Sequence, residues 1–234
     1  TRLPHDFYLL WSEFNIEERT HQEEGNEWLT ERTLLTYLRK GEISESQVAA
    51  CSSLFSIERR MGSELDSTTR TAKRTMLYDI EFVRISEGAG LLVEVEGLHG
   101  KPWPAEGLLR FGGEGHAARF RQLEETETTP WPAPPPDLPD PFRIYFATPA
   151  CFKSGWQPTT WSAWFEGNPK LIAAAVNRPL LLGGYDLASH FQKPTRRYVP
   201  AGSVYFFEGK AKLKRGITGI TEFGAALGFG QFMI

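Results

Sequence analysis

Apolar residues first recur at helical spacing after Thr30, where Leu34, Leu35 and Leu38 fall on one face. Thr30 is a suitable N-cap and Gly41 a suitable stop, so a helix is predicted between them. "SESQV" offers a second, weaker helix start through a Ser44–Gln47 capping box. The acidic stretch "SEFNIEERTHQEEGNE" before Thr30 reads as solvated surface. The pattern then changes from helical period to alternation. "YDIEFVRI" and "LLVEVE" read as strands, and "SEGAG" between them predicts an antiparallel hairpin. "GLLRF" is a further strand, which runs directly into the glycine turn "FGGEGHAARF". The stretch from Ile57 to Thr75 is polar and rich in Ser, Thr and Arg. It has too few apolar residues to define a buried face, so an extended protrusion outside the core is expected, turning at "DSTT".

"PWPAPPPDLPDP" holds seven prolines between residues 130 and 141. It can be neither helix nor central strand and is expected to be a stiff spacer between two halves. Beyond it, "FRIYFATP" and "SVYFF" read as strands, while "LIAAAVNRPLLLGG" stays open between helix and buried strand. "ITEFGAALGFGQFMI" suggests a short helix, a glycine turn and an apolar terminal strand. Antiparallel strands with few helices, in two halves, predict an α+β fold.

Composition changes this picture little. A chain of 234 residues, 41% hydrophobic and 24% charged, is an ordinary globular one. A net charge of −3 excludes a surface that is basic all over, yet leaves room for a local basic groove. Cys51 and Cys151 lie far apart without CxxC spacing, so neither a disulfide scaffold nor a zinc site is suggested. Both are expected to be small buried residues in a reducing cytoplasm. No apolar run approaches the roughly 20 residues that span a bilayer. The chain opens in mid-pattern with "TRLPHDFYLLW", which suggests that sequence precedes it.

Chemistry narrows the options further. "GGEGHA" lacks the spacing and the βαβ setting of a dinucleotide fingerprint, and GxxxxGK[ST] is absent. The histidines at 5, 21, 99, 116 and 190 show neither HxxxH nor HExxH spacing, so no metal or other cofactor is expected. Ser154 and Ser203 are not in GxSxG and read as turn or strand hydroxyls. The basic runs are more informative. Lys193, Arg196 and Arg197 sit in what reads as a proline-bounded loop. "KAKLKR" follows at 210–215, and Arg59, Arg60, Arg70, Lys73 and Arg74 precede. Each run could be a solvated face. Interleaving with His190, Phe191, Tyr198, Tyr205 and Phe206 suits single-stranded nucleic acid, with charges for phosphates and rings for bases. A turn such as Gly112–Gly115 can present backbone N–H groups to a phosphate, or it can simply join two strands.

Several stretches in order resemble one family. "RPLLLGGYDLASHFQKPTRRYVPAGSVYFF", "LRFGGEGHAARF", "MLYDIEFVRI", "ERRMGSELDSTTRTA", "WLTERTLLTYLRKG" and the terminal "GFGQF" are similar to the third subunit of the type III-B CRISPR effector, the Cmr complex. The resemblance covers most of the chain from about Trp28 onward. It implies a RAMP protein with two ferredoxin-like (βαββαβ) modules. Residues 1–129 would be the remainder of the first, with a thumb-like insertion at about 57–75. Residues 130–141 would be the linker and 142–234 the second module. It further implies a non-catalytic subunit that holds the 5′ tag of the CRISPR RNA, bridging the large polymerase–cyclase subunit and a RAMP backbone subunit. Lys193, Arg196 and Arg197 would contact tag phosphates, with Arg59 and Arg60 near the first guide bases. Gly112, Gly113, Gly115, Gly228 and Gly230 would shape the path, with His116 and Arg119 beside it. The family usually has Arg after GGEG where this chain has His116, which weakens an anion site at neutral pH unless Arg119 substitutes. Glu114 would pin the turn or a neighbouring arginine rather than bind phosphate. The rival reading is a metal-independent RAMP endoribonuclease using His116, or His190 with Tyr198. A third is a scaffold whose basic loops meet acidic proteins.

Overall fold

The computed structural model of the chain describes residues 27–40, 48–65, 68–69, 71–100, 102–112, 115–127, 134–135 and 137–234. They fall in two compact units, one with the described residues from 27 to 127 and the other with those from 134 to 234. Among the described residues the structure is mostly antiparallel β, with a single α-helix. None of its helices is long and apolar enough to cross a membrane.

In the first unit, strands β1 (Glu27–Leu29) and β2 (Val48–Ala50) pair antiparallel, and helix α1 (Glu31–Lys40) lies between them in sequence. The Thr30 hydroxyl accepts the Thr33 N–H at 3.2 Å, and the Thr30 carbonyl accepts Leu34 N–H at 2.9 Å, the expected N-cap. The Ser44–Gln47 helix start and the acidic opening lie outside the described residues.

The expected hairpin between "YDIEFVRI" and "LLVEVE" is not formed. Strand β4 (Ala72–Ile85) pairs instead with β3 (Phe55–Leu65), in register from Phe55 opposite Ile85 to Ser63 opposite Leu77. Residues 91–96 join no strand, and Leu91, Leu92, Val93 and Val95 are all exposed. Alternation marks a strand without naming its partner, and β3 offers β4 a longer ladder than the six residues of "LLVEVE" could. Ser86 N–H closes the ribbon by donating to the Leu54 carbonyl at 2.9 Å. A second hairpin follows, β5 (Glu106–Arg110) with β6 (Ala117–Arg121), as the strand leading into the glycine turn required.

The second unit contains β7 (Phe142–Phe146), β8 (Phe165–Gly167), β9 (Lys170–Ala175), β10 (Leu180–Asp186), β11 (Phe191–Tyr198), β12 (Val204–Glu208), β13 (Ala211–Leu213) and β14 (Phe232–Met233). Four of these make one antiparallel sheet in the spatial order β14-β7-β12-β9. Counted along the chain, that order is fourth, first, third, second. Alternation in "FRIYF" turns Phe142, Ile144 and Phe146 into the core, where they meet Phe165, Tyr205, Phe207 and Ile220. Phe142 stacks on Phe207 with ring centroids 5.0 Å apart, and Trp161 meets Phe207 edge-on at 4.9 Å.

The undecided stretch "LIAAAVNRPLLLGG" resolves into two strands, β9 and β10. The two crossovers of the sheet, 147–169 before β9 and 209–231 before β14, contain no α-helix. The short helix expected near the C-terminus shrinks to a three-residue 3-10 turn, Ala225–Leu227. Pro149, Pro158 and Pro169 interrupt the first crossover, and Gly209, Gly216, Gly219, Gly224, Gly228 and Gly230 the second, so neither can propagate a helix.

Candidate nucleic-acid interface

Lys193, Arg196 and Arg197 were expected in a loop. They lie in strand β11, paired with β10 in a two-stranded ribbon whose faces are largely exposed. The ribbon rises from a fixed base. Val199 and Ala150 exchange backbone hydrogen bonds of 2.7 and 3.0 Å, and the buried Tyr198 ring packs on Phe229 at 4.8 Å. Burial, the main influence, pushes the Tyr198 hydroxyl above its ordinary pKa. At the far end the Asp186 carboxylate accepts the backbone N–H groups of Ala188 and Ser189, and these bonds hold its pKa below the usual range.

The register of this ribbon shifts once. Leu182 faces Arg196 but Gly184 faces Lys193, so two residues of β10 are matched by three of β11. The extra residue falls at Pro194–Thr195, and Pro194 has no N–H to lose from the ladder. Cross-strand partners share a face, so Lys193 lies on the same face as Arg196, while Arg197, opposite Leu181, lies on the other. The side-chain positions agree: a Cβ built on Gly184 would lie 3.8 Å from the Lys193 Cδ, and one on Gly183 would lie 2.9 Å from the Thr195 Oγ1.

Arg196 is further fixed by Phe223, whose ring its guanidinium covers at 4.2 Å from the centroid. Phe223 is itself held. Its carbonyl accepts the Thr221 hydroxyl at 2.9 Å, and the same Thr221 oxygen accepts Cys151 N–H at 2.9 Å. A guanidinium held over a ring by a cation–π contact still has N–H groups to offer a phosphate. Cys151 is buried and free, and burial raises its thiol pKa, against a smaller opposing pull from Arg196.

The glycines at 228 and 230 stand beside this base, with different reasons for being glycine. Gly230, at φ +71°, is packed against the Ile220 backbone and the Thr221 side chain, and a Cβ there would come within 2.6 Å of the Ile220 carbonyl oxygen. Gly228, at φ +83°, has nothing within 4 Å of such a Cβ, and its carbonyl accepts the Thr148 hydroxyl at 2.7 Å.

In the first unit Arg59 and Arg60 point to opposite faces of the β3–β4 ribbon, and both are engaged. Arg59 pairs with its cross-strand neighbour Glu81 at 2.9 Å. Arg60 and Arg84 both grip Glu58, whose carboxyl those hydrogen bonds, Arg60 first, hold below its ordinary pKa. All these pairs are solvent-exposed, so a phosphate could displace the carboxylates at small cost.

The Arg60 guanidinium lies 5.1 Å from the centre of the Phe82 ring, and the other neighbour of Phe82 is His116 at 4.6 Å. Phe82 therefore brings Arg60 and the residue after the glycine turn together. The sequence reading missed Phe82. The signal was its place in the alternation Tyr78, Ile80, Phe82, Arg84 on the face that carries Arg60.

Phe111 N–H donates to the His116 carbonyl at 3.0 Å and closes the glycine turn. Gly112 and Gly115 have φ of +82° and +72° with open space around them, so they serve the backbone turn and leave its outer side accessible. Gly113 and Glu114 lie outside the described residues. Arg119 faces Leu108 on β5 and shares a face with Arg110 and Arg121. Arg121 is taken by Glu127 at 2.9 Å, and among the described residues neither Arg110 nor Arg119 has an ion-pair partner.

Other candidates do not gather. His190 and Tyr198 stand at opposite ends of β11, about 25 Å apart at ~3.3 Å per residue, so they cannot act on one bond as acid and base. In the "KAKLKR" run Lys212 pairs with Asp137 at 2.7 Å and Lys214 donates to the Ser162 carbonyl at 2.5 Å, and both contacts are solvent-exposed. Among the described residues no three His, Cys, Asp or Glu side chains cluster as metal ligands.

A basic ribbon on a fixed base and a glycine hairpin carrying unpaired arginines are the features of a protein that binds polyanions. The family model for CRISPR-associated protein (Cas_Cmr3) matches residues 10–234. The chain belongs to the Cas_Cmr3 family. Two solved structures of low similarity carry the descriptions "Cryo-EM structure of the Type III-B Cmr-beta bound to cognate target RNA" and the same with "AMPPnP, state 1". The first is 13% identical, with a TM-score of 0.42, over 74% of this chain and 49% of its own. The second is 14% identical, with a TM-score of 0.44, over 66% and 47%. The chain thus spans about half the length of these structures. No curated protein matches it significantly.

Proposed function

We propose that this chain is a non-catalytic, RNA-binding subunit of a type III-B CRISPR effector complex. Its RNA is the 5′ tag of the guide, and its protein neighbours are the large polymerase–cyclase subunit and a RAMP backbone subunit. Membership of the Cas_Cmr3 family supports the setting. The observation that carries the RNA assignment is the β11 ribbon, where exposed cations stand on a backbone anchored at Tyr198, with Arg196 laid on Phe223. The fourth-first-third-second sheet order supports reading the second unit as a ferredoxin-like RAMP module whose helical crossovers have become loops.

Phosphate contacts position a strand without reading its sequence. Replacing Lys193 and Arg196 together by alanine should therefore release guide RNA from the assembled complex at lower salt than the parent. Retention unchanged across a salt titration contradicts the assignment. The same preparations should leave a repeat RNA intact, since among the described residues the candidate pair His190 and Tyr198 is separated by the length of β11; metal-independent cleavage would favour the endoribonuclease reading instead.

The β3–β4 hairpin is read as the thumb, reaching across the RNA where the tag meets the guide. Its described side chains between Ser56 and Met61 and between Tyr78 and Ile85 are largely exposed, and the "DSTT" turn expected between its strands lies partly outside the described residues. Deleting Ser63 to Arg70 should preserve folding yet change nucleotide-resolution footprints at the end of the tag. An unchanged footprint means the hairpin has no such role.

A further inference from the structure

The three cations of "KPTRR" are adjacent in sequence, and simple alternation would put Lys193 with Arg197 on one face. The bulge at Pro194–Thr195 changes that grouping. Beyond the bulge the pairing of Asp186 with Phe191 puts Phe191 on the face of Lys193. Phe191 is 73% exposed, a large ring with no protein surface to cover it. We propose that this one face, carrying Phe191, Lys193 and Arg196, is a track for a single RNA strand, on which Phe191 stacks against a base while Lys193 and Arg196 hold successive phosphates. Arg197, on the opposite face, takes no part in it.

The geometry supports each role. Phe191 and Lys193 are one strand repeat apart. Lys193 and Arg196, three residues apart in β11, span only the Leu182–Gly184 distance on β10, so the three side chains are evenly spaced at about 6.5 Å. That step suits successive units of an extended nucleic-acid strand. Gly184 leaves the floor between them low, and Lys193 lies across it. Arg196 is oriented before RNA arrives because Phe223 supports its plane, whereas Lys193 is a movable point charge. A ring beside cations is how proteins hold a single strand without reading its sequence.

This proposal rests on the RNA-binding reading above, and one experiment separates their failures. Binding of a short fluorescent single-stranded RNA to the full protein is measured over a range of salt for four single variants. Their thermal midpoints should match the parent, since all four side chains are exposed. Lys193→Ala and Arg196→Ala should each flatten the log–log salt slope by about 0.7. Arg197→Ala should leave slope and affinity unchanged. Phe191→Ala should weaken binding roughly tenfold at unchanged slope, and Phe191→Tyr should restore it. With 2-aminopurine in the RNA, the quenching that stacking causes should disappear only in Phe191→Ala. If Arg197→Ala flattens the slope as much as Arg196→Ala, or if Phe191→Ala binds like the parent, the one-face track is wrong. If no variant alters affinity, the RNA-binding reading of this ribbon fails as well.

Discussion

Gly230→Ala should destabilise the second unit by about 2 to 5 kcal/mol. Two costs add. An L-residue at φ +71° costs roughly 1–2 kcal/mol. The new methyl also meets Ile220 main chain, its carbonyl oxygen at 2.6 Å and carbonyl carbon at 2.8 Å, and the Thr221 side-chain Cβ at 2.7 Å, and overpacking of that kind costs about 1–3 kcal/mol. Main chain here cannot give, because Ile220 N–H donates to the Gly230 carbonyl and Gly230 N–H to the Pro149 carbonyl, each at 2.8 Å. Gly228→Ala is the control, with a similar φ and open space, and should cost only about 1–2 kcal/mol. Urea denaturation of the two variants checks the difference. Equal losses would mean that conformational strain alone makes both positions glycine.

Phe207→Ala should cost about 3–5 kcal/mol. Phe207 is fully buried, stacked on Phe142, and met by Trp161 edge-on and by Phe165 at 6.1 Å. Three large rings cannot all close over the space it would leave. The cost is expected as a lowered urea midpoint with lost near-ultraviolet aromatic signal. Leu187→Ala, at a position 77% exposed, should stay within ~0.5 kcal/mol of the parent. A Phe207→Ala protein as stable as the parent would mean that the rings around 207 are not a packed core.

These contrasts separate what could be read from the chain from what could not. Strands with a buried face were legible, because "FRIYF" and "SVYFF" alternate against one core and their period is fixed by the pleat. The Thr30 cap was legible for the same kind of local reason. Pairing was not. "YDIEFVRI" joins β3, the strand before it in the chain, rather than the alternating stretch after it, and nothing in an alternating pattern says which neighbour it will take. The stretch before the last strand was misjudged toward helix because "ITEFGAAL" has the composition, while glycines at 224 and 228 allow only one 3-10 turn.

The candidate site was legible as residue types but not as a surface. Lys193, Arg196 and Arg197 stood out by charge, yet their division between two faces depends on a single bulge that no spacing rule announces. Phe82 and Phe223 looked like strand and turn hydrophobics. Their role as supports for Arg60 and Arg196 emerges only from tertiary contact.

The most direct test of the RNA assignment is to purify the assembled complex and sequence the RNA that comes with it, with the parent subunit and with Lys193→Ala/Arg196→Ala. With the parent, the RNAs are predicted to share one 5′ end whose first nucleotides resist nuclease, and with the double variant that protection is predicted to be lost. RNAs without a common 5′ end, or 5′ protection identical in both preparations, would contradict the assignment of this subunit to the guide tag.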